Sequence, residues 1–169
     1  DPRKMVREAV ERADILTKIL HKFSALYNKA TTRPTLRMYQ GRTAVKGVLN
    51  EITSEAREIL AFSSTDDVSV AMGKDFDEYI KKRVQNKIRL KIIMRNSERA
   101  RRFQKTGSTE LREVRIIEPA FEYHNLIFIW NDKVAMLSSG KDFVTYVIED
   151  KFLVKFYKTT FNYIWETLA

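Results

Sequence analysis

The stretch Tyr123–Glu149, YHNLIFIWNDKVAMLSSGKDFVTYVIE, restricts this chain to folds built on a sheet. Three short apolar runs, Leu126–Trp130, Lys133–Leu137 and Phe143–Ile148, are separated by Asn131-Asp132 and by Ser138-Ser139-Gly140-Lys141-Asp142. Each run is too short for a helix, rich in Ile, Val and aromatics, and bounded by turn formers. That combination predicts three successive strands. Asn131-Asp132 has the length and composition of a tight hairpin turn between the first two.

The preceding residues alternate between the two periodicities. From Arg3 to Asn28, Val6, Val10, Ala13, Leu16, Leu20, Phe23 and Tyr27 recur at steps of three and four, close to a coiled-coil seam. Met5, Ala9, Ile19 and Leu26 widen that stripe, so the helix suits either a dimer seam or packing on its own domain. Thr31-Thr32-Arg33-Pro34 ends it. Leu36–Tyr39 reads as a strand, Thr43 to about Arg57 as a helix, Glu58–Phe62 as a strand, Asp75–Lys87 as a helix and Arg89–Met94 as a strand. Ser97 caps a basic surface helix over Glu98–Gln104. In Leu111–Ile117, Leu111, Val114 and Ile116 are expected inward, and Arg112, Glu113 and Arg115 outward. After Asp150 a final helix carries Leu153, Phe156, Tyr157, Phe161, Ile164, Trp165 and Leu168 on a broad core-facing side. Strands alternating with helices, then three strands in near succession, predict an α/β fold: a mixed β-sheet flanked by helices on both faces, preceded by a long N-terminal helix.

Composition removes several chemistries. The 169 residues contain no cysteine and only two histidines, His21 and His124, which excludes disulfides and thiolate metal sites and argues against a histidine cage. No Walker, nucleophile-elbow or dinucleotide glycine motif occurs among five glycines. No cofactor is expected. No apolar run approaches the ~18 residues of a membrane span, and with no signal peptide a cytoplasmic location is expected. The net charge of +9 is concentrated. Residues 80–105 hold eleven Lys or Arg against one acid, Glu98. Such a stripe suits a polyanion, and equally a pair of solvated faces around a buried strand. Opening at Asp1 directly on a helical pattern, the chain is expected to be a fragment of a longer protein.

A strand opening with His, a turn with an acid, and a strand ending in paired serines together resemble the signature region of the phospholipase-D-like fold. That pattern implies Lys two residues after the His and Asp seven after it. Here those positions hold Leu126 and Asn131, while Asp132 stands one place out of register. Leu cannot offset phosphate charge and Asn cannot act as a base, so the expectation is a protein that is not an enzyme. The chain is more similar to a non-catalytic branch, the effector domain of TrmB-like transcriptional regulators. The resemblance runs from about Pro34 onward through TLRMYQGRTAVKGVLNEI, EILAFSS, FDEYIKKRVQNKIRLKII, LREVRII, NDKVAMLSS and VIEDKFLVKFYKTTFNYIW.

The resemblance implies residues 1–32 as a linker and dimerisation helix, and residues 33–169 as the effector domain. It implies a homodimer through that helix, DNA contacted by a winged helix outside this sequence, and a sugar or small metabolite as effector. The implied cleft gathers Ser63, Ser64, Tyr123, His124, Ser138, Ser139 and Gly140, with Lys141 and Asp142 nearby. Hydroxyls and an amide beside an aromatic platform, Tyr123 or Trp130, suit a polyol. Two alternatives of other classes are a phosphodiesterase or nuclease with an altered motif, and a nucleic-acid-binding module using the 80–105 stripe.

Overall fold

A computed structural model of the chain describes residues 34–64, 72–118, 123–138 and 143–168. The chain divides into two units, Asp1–Arg33 and Pro34–Ala169, and all the described residues belong to the second. The helix expected over Arg3–Asn28 and the dimer seam assigned to it therefore lie outside the described residues.

The strands are β1 (Thr35–Gln40), β2 (Glu58–Ser63), β3 (Arg89–Arg95), β4 (Arg112–Ile117), β5 (Asn125–Trp130), β6 (Lys133–Ser138) and β7 (Val144–Glu149). The helices are α1 (Arg42–Glu55), α2 (Lys74–Gln85), α3 (Glu98–Thr106) and α4 (Lys151–Thr167). One mixed sheet runs in the order β1-β7-β6-β5-β2-β3-β4. β2, β3 and β4 are parallel, joined by helical crossovers, while β5, β6, β7 and β1 pair antiparallel. The hairpin between β5 and β6 is the two-residue turn read from the sequence, and Asn131 takes the positive φ (46°) such a turn needs.

The period-two alternation of the strands splits the core. On one face Ile59, Ala61, Leu90, Ile92, Met94, Leu126, Phe128, Trp130 and Leu137 pack against Val45, Val48, Leu49 and Ile52 of α1, Tyr79 of α2 and Ala100 of α3. On the other, Ile93, Ile129 and Val134 pack against Val154, Phe161 and Trp165 of α4. Asp150 starts that helix by accepting from the amides of Phe152 (2.8 Å) and Leu153 (2.9 Å), and Phe161 meets Phe62 edge-on. Arg115 donates to the Trp165 carbonyl and lies over the indole, which ties the end of α4 to β4.

Two expectations are corrected, and a choice between two readings is narrowed. Leu111 is exposed and Arg112 buried, the reverse of the sequence reading. A 3-10 turn, Gly107–Glu110, ends on Leu111 at φ 52° and resets the alternation before β4 begins. The turn approaches β4 so closely that a Cβ on Gly107 would stand 2.4 Å from the Arg112 carbonyl oxygen. Phe156, assigned to the core, is exposed on α4, as are Phe152 and Tyr163, because α4 lies over β2, β5 and β6 and stops short of the β1 edge. There Leu36 and Met38 are also exposed. The 80–105 stripe is not one surface: Arg83 is fully buried, Lys91 lies on the α4 face near Trp165, and the arginines of α3 lie on the opposite face.

Candidate functional site

Chain direction brings the polar ends of several strands together. β2 ends at Ser63, β5 begins at Asn125 and β6 ends at Ser138. The register pairs Ser63 with Leu126, and Asn125 with Ser138, so the three ends lie at one edge of the sheet. Ser64 continues β2 and its amide donates to the Asn125 carbonyl (3.4 Å). The Tyr123 hydroxyl donates to the carbonyls of Ser63 (3.2 Å) and Ile93 (3.4 Å), which anchors the residues entering β5 across the ends of β2 and β3. Burial pushes the Tyr123 phenol up to about 12, partly opposed by Arg95. His124 is exposed at the mouth of this cleft. Ser63 and Ser64 are buried, and the Ser64 hydroxyl makes no hydrogen bond among the described residues.

Two helices begin at the same end. β1 ends at Gln40, opposite Val144, which in turn lies opposite Ser138. Gly41, at φ 88°, then turns the chain into α1, its amide bound to the Phe143 carbonyl (2.8 Å). α2 starts after Gly73, also at positive φ. Neither N-terminus has a side-chain cap, so their free N–H groups and positive dipole ends face this side. Arg42 and Lys46 of α1 both bind Asp75 of α2, at 2.8 and 3.0 Å, locking the two helices together. Their hydrogen bonds hold the Asp75 carboxyl below the usual carboxylate range.

Of the residues expected at the cleft, Ser63, Ser64, Tyr123, His124 and Ser138 therefore meet at one end of the sheet. Ser139, Gly140, Lys141 and Asp142 lie outside the described residues. Trp130 does not meet them. It is buried at the far end of β5, where its indole N–H donates to Glu55 Oε2 (3.3 Å), so it cannot serve as a platform here. Asp132 and Asn131 occupy the hairpin turn at that same far end, separated from His124 by the whole of β5. Leu126 turns inward and is 2% exposed, packed in the core under α1 and α2. Asn125 was not singled out from the sequence, although it opens a strand beside His124. Among the described residues no cluster of His, Asp or Glu is placed to hold a metal ion, and no helix is long and apolar enough to cross a membrane.

The far end of the sheet carries an ion-pair network instead. Glu51 of α1 accepts from Arg37 (2.7 Å) and from Lys133 (2.8 Å), and Lys133 also reaches Glu55 (2.8 Å). The Arg37 and Lys133 hydrogen bonds, against the cost of burial, hold the Glu51 carboxyl below its usual range. The network fixes α1 on β1 and β6 at the end opposite the cleft.

No protein-family profile matches the chain, and no curated protein sequence matches it. Solved structures do match its fold. The structure of TrmBL2, an archaeal chromatin protein that shows a novel mode of DNA binding, aligns with a TM-score of 0.53 at 16% identity, over 98% of this chain and 65% of that one. NucT from Helicobacter pylori aligns with a TM-score of 0.58 at 14% identity, over 79% of this chain and 97% of that one. The phosphatidylserine synthase of Haemophilus influenzae Rd KW20 aligns with a TM-score of 0.51 at 10% identity, over 74% and 37% of the two chains. At such identities the likeness is one of fold. The chain has the phospholipase-D-like architecture, a mixed sheet between two helical layers, and it spans 65% of the length of the TrmBL2 chain.

Proposed function

We propose that this chain is the ligand-sensing and dimerisation part of a TrmB-like transcriptional regulator, with a cleft that binds without catalysing. The observation that carries this reading is the placement of Leu126. Two residues after His124, where phospholipase-D-like catalysis calls for a lysine, an aliphatic side chain turns into the core. What the cleft offers a ligand is serine hydroxyls, the Asn125 amide, an imidazole and two uncapped helix N-termini. These groups recognise a sugar or small metabolite by hydrogen bonds, with some preference for a polar or anionic substituent at the helix ends.

Regulation then requires that the ligand bind one arrangement of two protomers better than another, since equal affinity shifts nothing. The seam that the sequence leads one to expect over residues 3–28 would join the two copies. Contact with DNA falls to a domain outside this sequence, in keeping with the DNA binding shown by TrmBL2, and a cytoplasmic location goes with that role. A thermal-shift screen against sugars, nucleotides and phosphodiesters tests the reading. A sugar or metabolite should raise the melting temperature with the logarithm of its concentration, and His124→Ala or Ser139→Ala should abolish the rise. A protein that stays monomeric in light scattering at high micromolar concentration refutes the dimer.

A second reading rests on the exposure of His124 at the cleft mouth, in a fold shared with the phosphatidylserine synthase. It is a phosphodiesterase with an altered motif. Hydrolysis of a generic phosphodiester that disappears in His124→Ala would establish it in place of the first.

A further inference from the structure

The interior between α2, α3 and the β3–β4 pair contains more positive charge than the described fold uses. Arg83, on the last turn of α2, is fully buried, and Arg112, the first residue of β4, is 5% exposed. Three of the bonds Arg83 makes are structural: it donates to the carbonyls of Ile88 (2.7 Å), Leu111 (3.2 Å) and Glu110 (2.5 Å). Its Nε makes no hydrogen bond among the described residues. Arg112 stacks on the Phe103 ring at 3.9 Å, and its NH2 stands 2.7 Å from Glu110 Oε2 without hydrogen-bond geometry. Its Nε is likewise without an acceptor, and so is the hydroxyl of Tyr79, which is 3% exposed.

These groups are not scattered. Tyr79, Arg83 and Arg112 line one cavity of about 20 Å³, closed by Phe76, Phe103 and Phe128. A single water needs roughly 10–15 Å³, so the cavity takes one small body. Two guanidiniums share one carboxylate, that of Glu110, whose side chain is 36% exposed although its Oε2 is buried, and the phenol is kept neutral by burial. A buried charge with no counter-charge costs several kcal/mol. A water would satisfy the N–H groups and leave that cost in place. An anion removes it, and Tyr79, Arg83 and Arg112, whose hydroxyl and two Nε groups lack acceptors among the described residues, line the same cavity.

We propose that this cavity binds a small monovalent inorganic anion, a halide, held by Tyr79, Arg83 and Arg112. Ser63 lines both this cavity and the cleft at the strand ends, but the anion needs nothing of the function proposed for that cleft. An anion there stabilises the join between α2, the turn Gly107–Glu110 and β4, because Arg83 binds the carbonyls of all three connections with the groups it does not present to the cavity.

The test compares melting temperatures of the whole chain in sodium chloride and in sodium gluconate at equal ionic strength. Each tenfold rise in chloride above its dissociation constant should add about 3–6 °C that gluconate does not give. Tyr79→Phe should move the onset of that rise to higher chloride, and Arg112→Met should abolish it. Equal shifts in the two salts overturn the proposal. Should Arg112→Met fail to fold, crystals grown in sodium bromide decide: an anomalous peak among the three side chains supports the site, and its absence at full occupancy of the lattice's other bromides overturns it.

Discussion

Replacing Leu126 with lysine supplies the residue type that phospholipase-D-like catalysis calls for at that position, and asks the core to hold it. Leu126 is 2% exposed and lies beside Phe128 and Leu137, against Tyr79 and in line with the cavity that holds Arg83 and Arg112. The lysine stem replaces most of the lost apolar contact, so the ammonium decides the outcome. Two arginines already occupy this interior, and the new amine must lose its proton to remain buried. Neutralising a group of pKa about 10.4 at pH 7 costs about 4–5 kcal/mol. Set against a total stability of roughly 5–15 kcal/mol, that is a large fraction, equivalent to about 10–18 °C in melting temperature. Urea unfolding followed through the buried Trp130 and Trp165 measures it directly. The sign with pH is fixed: the unfolded chain binds the extra proton, so the defect shrinks as pH rises from 7 toward 10. Leu126→Met, which keeps volume and apolarity, should cost less than about 1.5 kcal/mol. A lysine variant within 1 kcal/mol of the parent at pH 7, with new phosphodiester hydrolysis, would refute both the inward placement and the non-catalytic reading.

Further outcomes follow from other sites. Arg83→Leu takes the side-chain donor from the Ile88 and Glu110 carbonyls, while the Leu111 carbonyl keeps the Leu90 amide, and should destabilise the domain by about 2–3 kcal/mol, read as a lower urea midpoint with unchanged slope. Glu51→Gln removes the negative charge shared by Arg37 and Lys133 and should cost about 1 kcal/mol. Because the folded Glu51 titrates below its unfolded value, its contribution is present above about pH 4.3 and disappears as pH falls through the folded value. Stability profiles of parent and variant should therefore converge in acid. Tyr123→Phe loses a hydroxyl that holds the ends of β2 and β3 and should cost about 1 kcal/mol. It should also remove the part of the alkaline destabilisation that sets in between about pH 10 and the phenol's own value of about 12. Reversing Arg99 and Arg102 to glutamate should weaken nonspecific duplex binding and flatten its salt dependence if α3 contacts nucleic acid; unchanged binding would assign those charges to solvation.

The sheet was readable where apolar runs were short and sharply bounded. Leu126–Trp130 and Lys133–Leu137 on either side of Asn131-Asp132 could hardly be anything but a hairpin, and they became β5 and β6. The grouping of Ser63, Ser64, Tyr123, His124 and Ser138 came from the resemblance to the phospholipase-D-like fold, and the strand directions do deliver those polar flanks to one end of the sheet. What could not be read depended on backbone detail. A 3-10 turn that ends with Leu111 in the left-handed region inverts which of Leu111 and Arg112 is buried, and hydrophobicity alone argues the wrong way. Trp130 carries an apolar ring and a polar N–H, so composition fits a platform at either end of its strand. Only the pairing shows that it faces Glu55. Phe156 follows the helical stripe faithfully, but the stripe is wider than the sheet beneath it.

The strand order also governs the sequence of events by which the domain comes together. β1 is made first, yet it is hydrogen-bonded to β7, which pairs Thr35 with Glu149 across nearly the whole unit. Helical crossovers let β2, β3 and β4 associate with close neighbours, and the hairpins of β5 to β7 are local. β1 must wait, and closing so long a loop before any contact rewards it is slow. During synthesis an edge strand bearing Leu36 and Met38 would stand unpaired until the last strand emerged, a period in which another copy's β7 competes for it on equal terms.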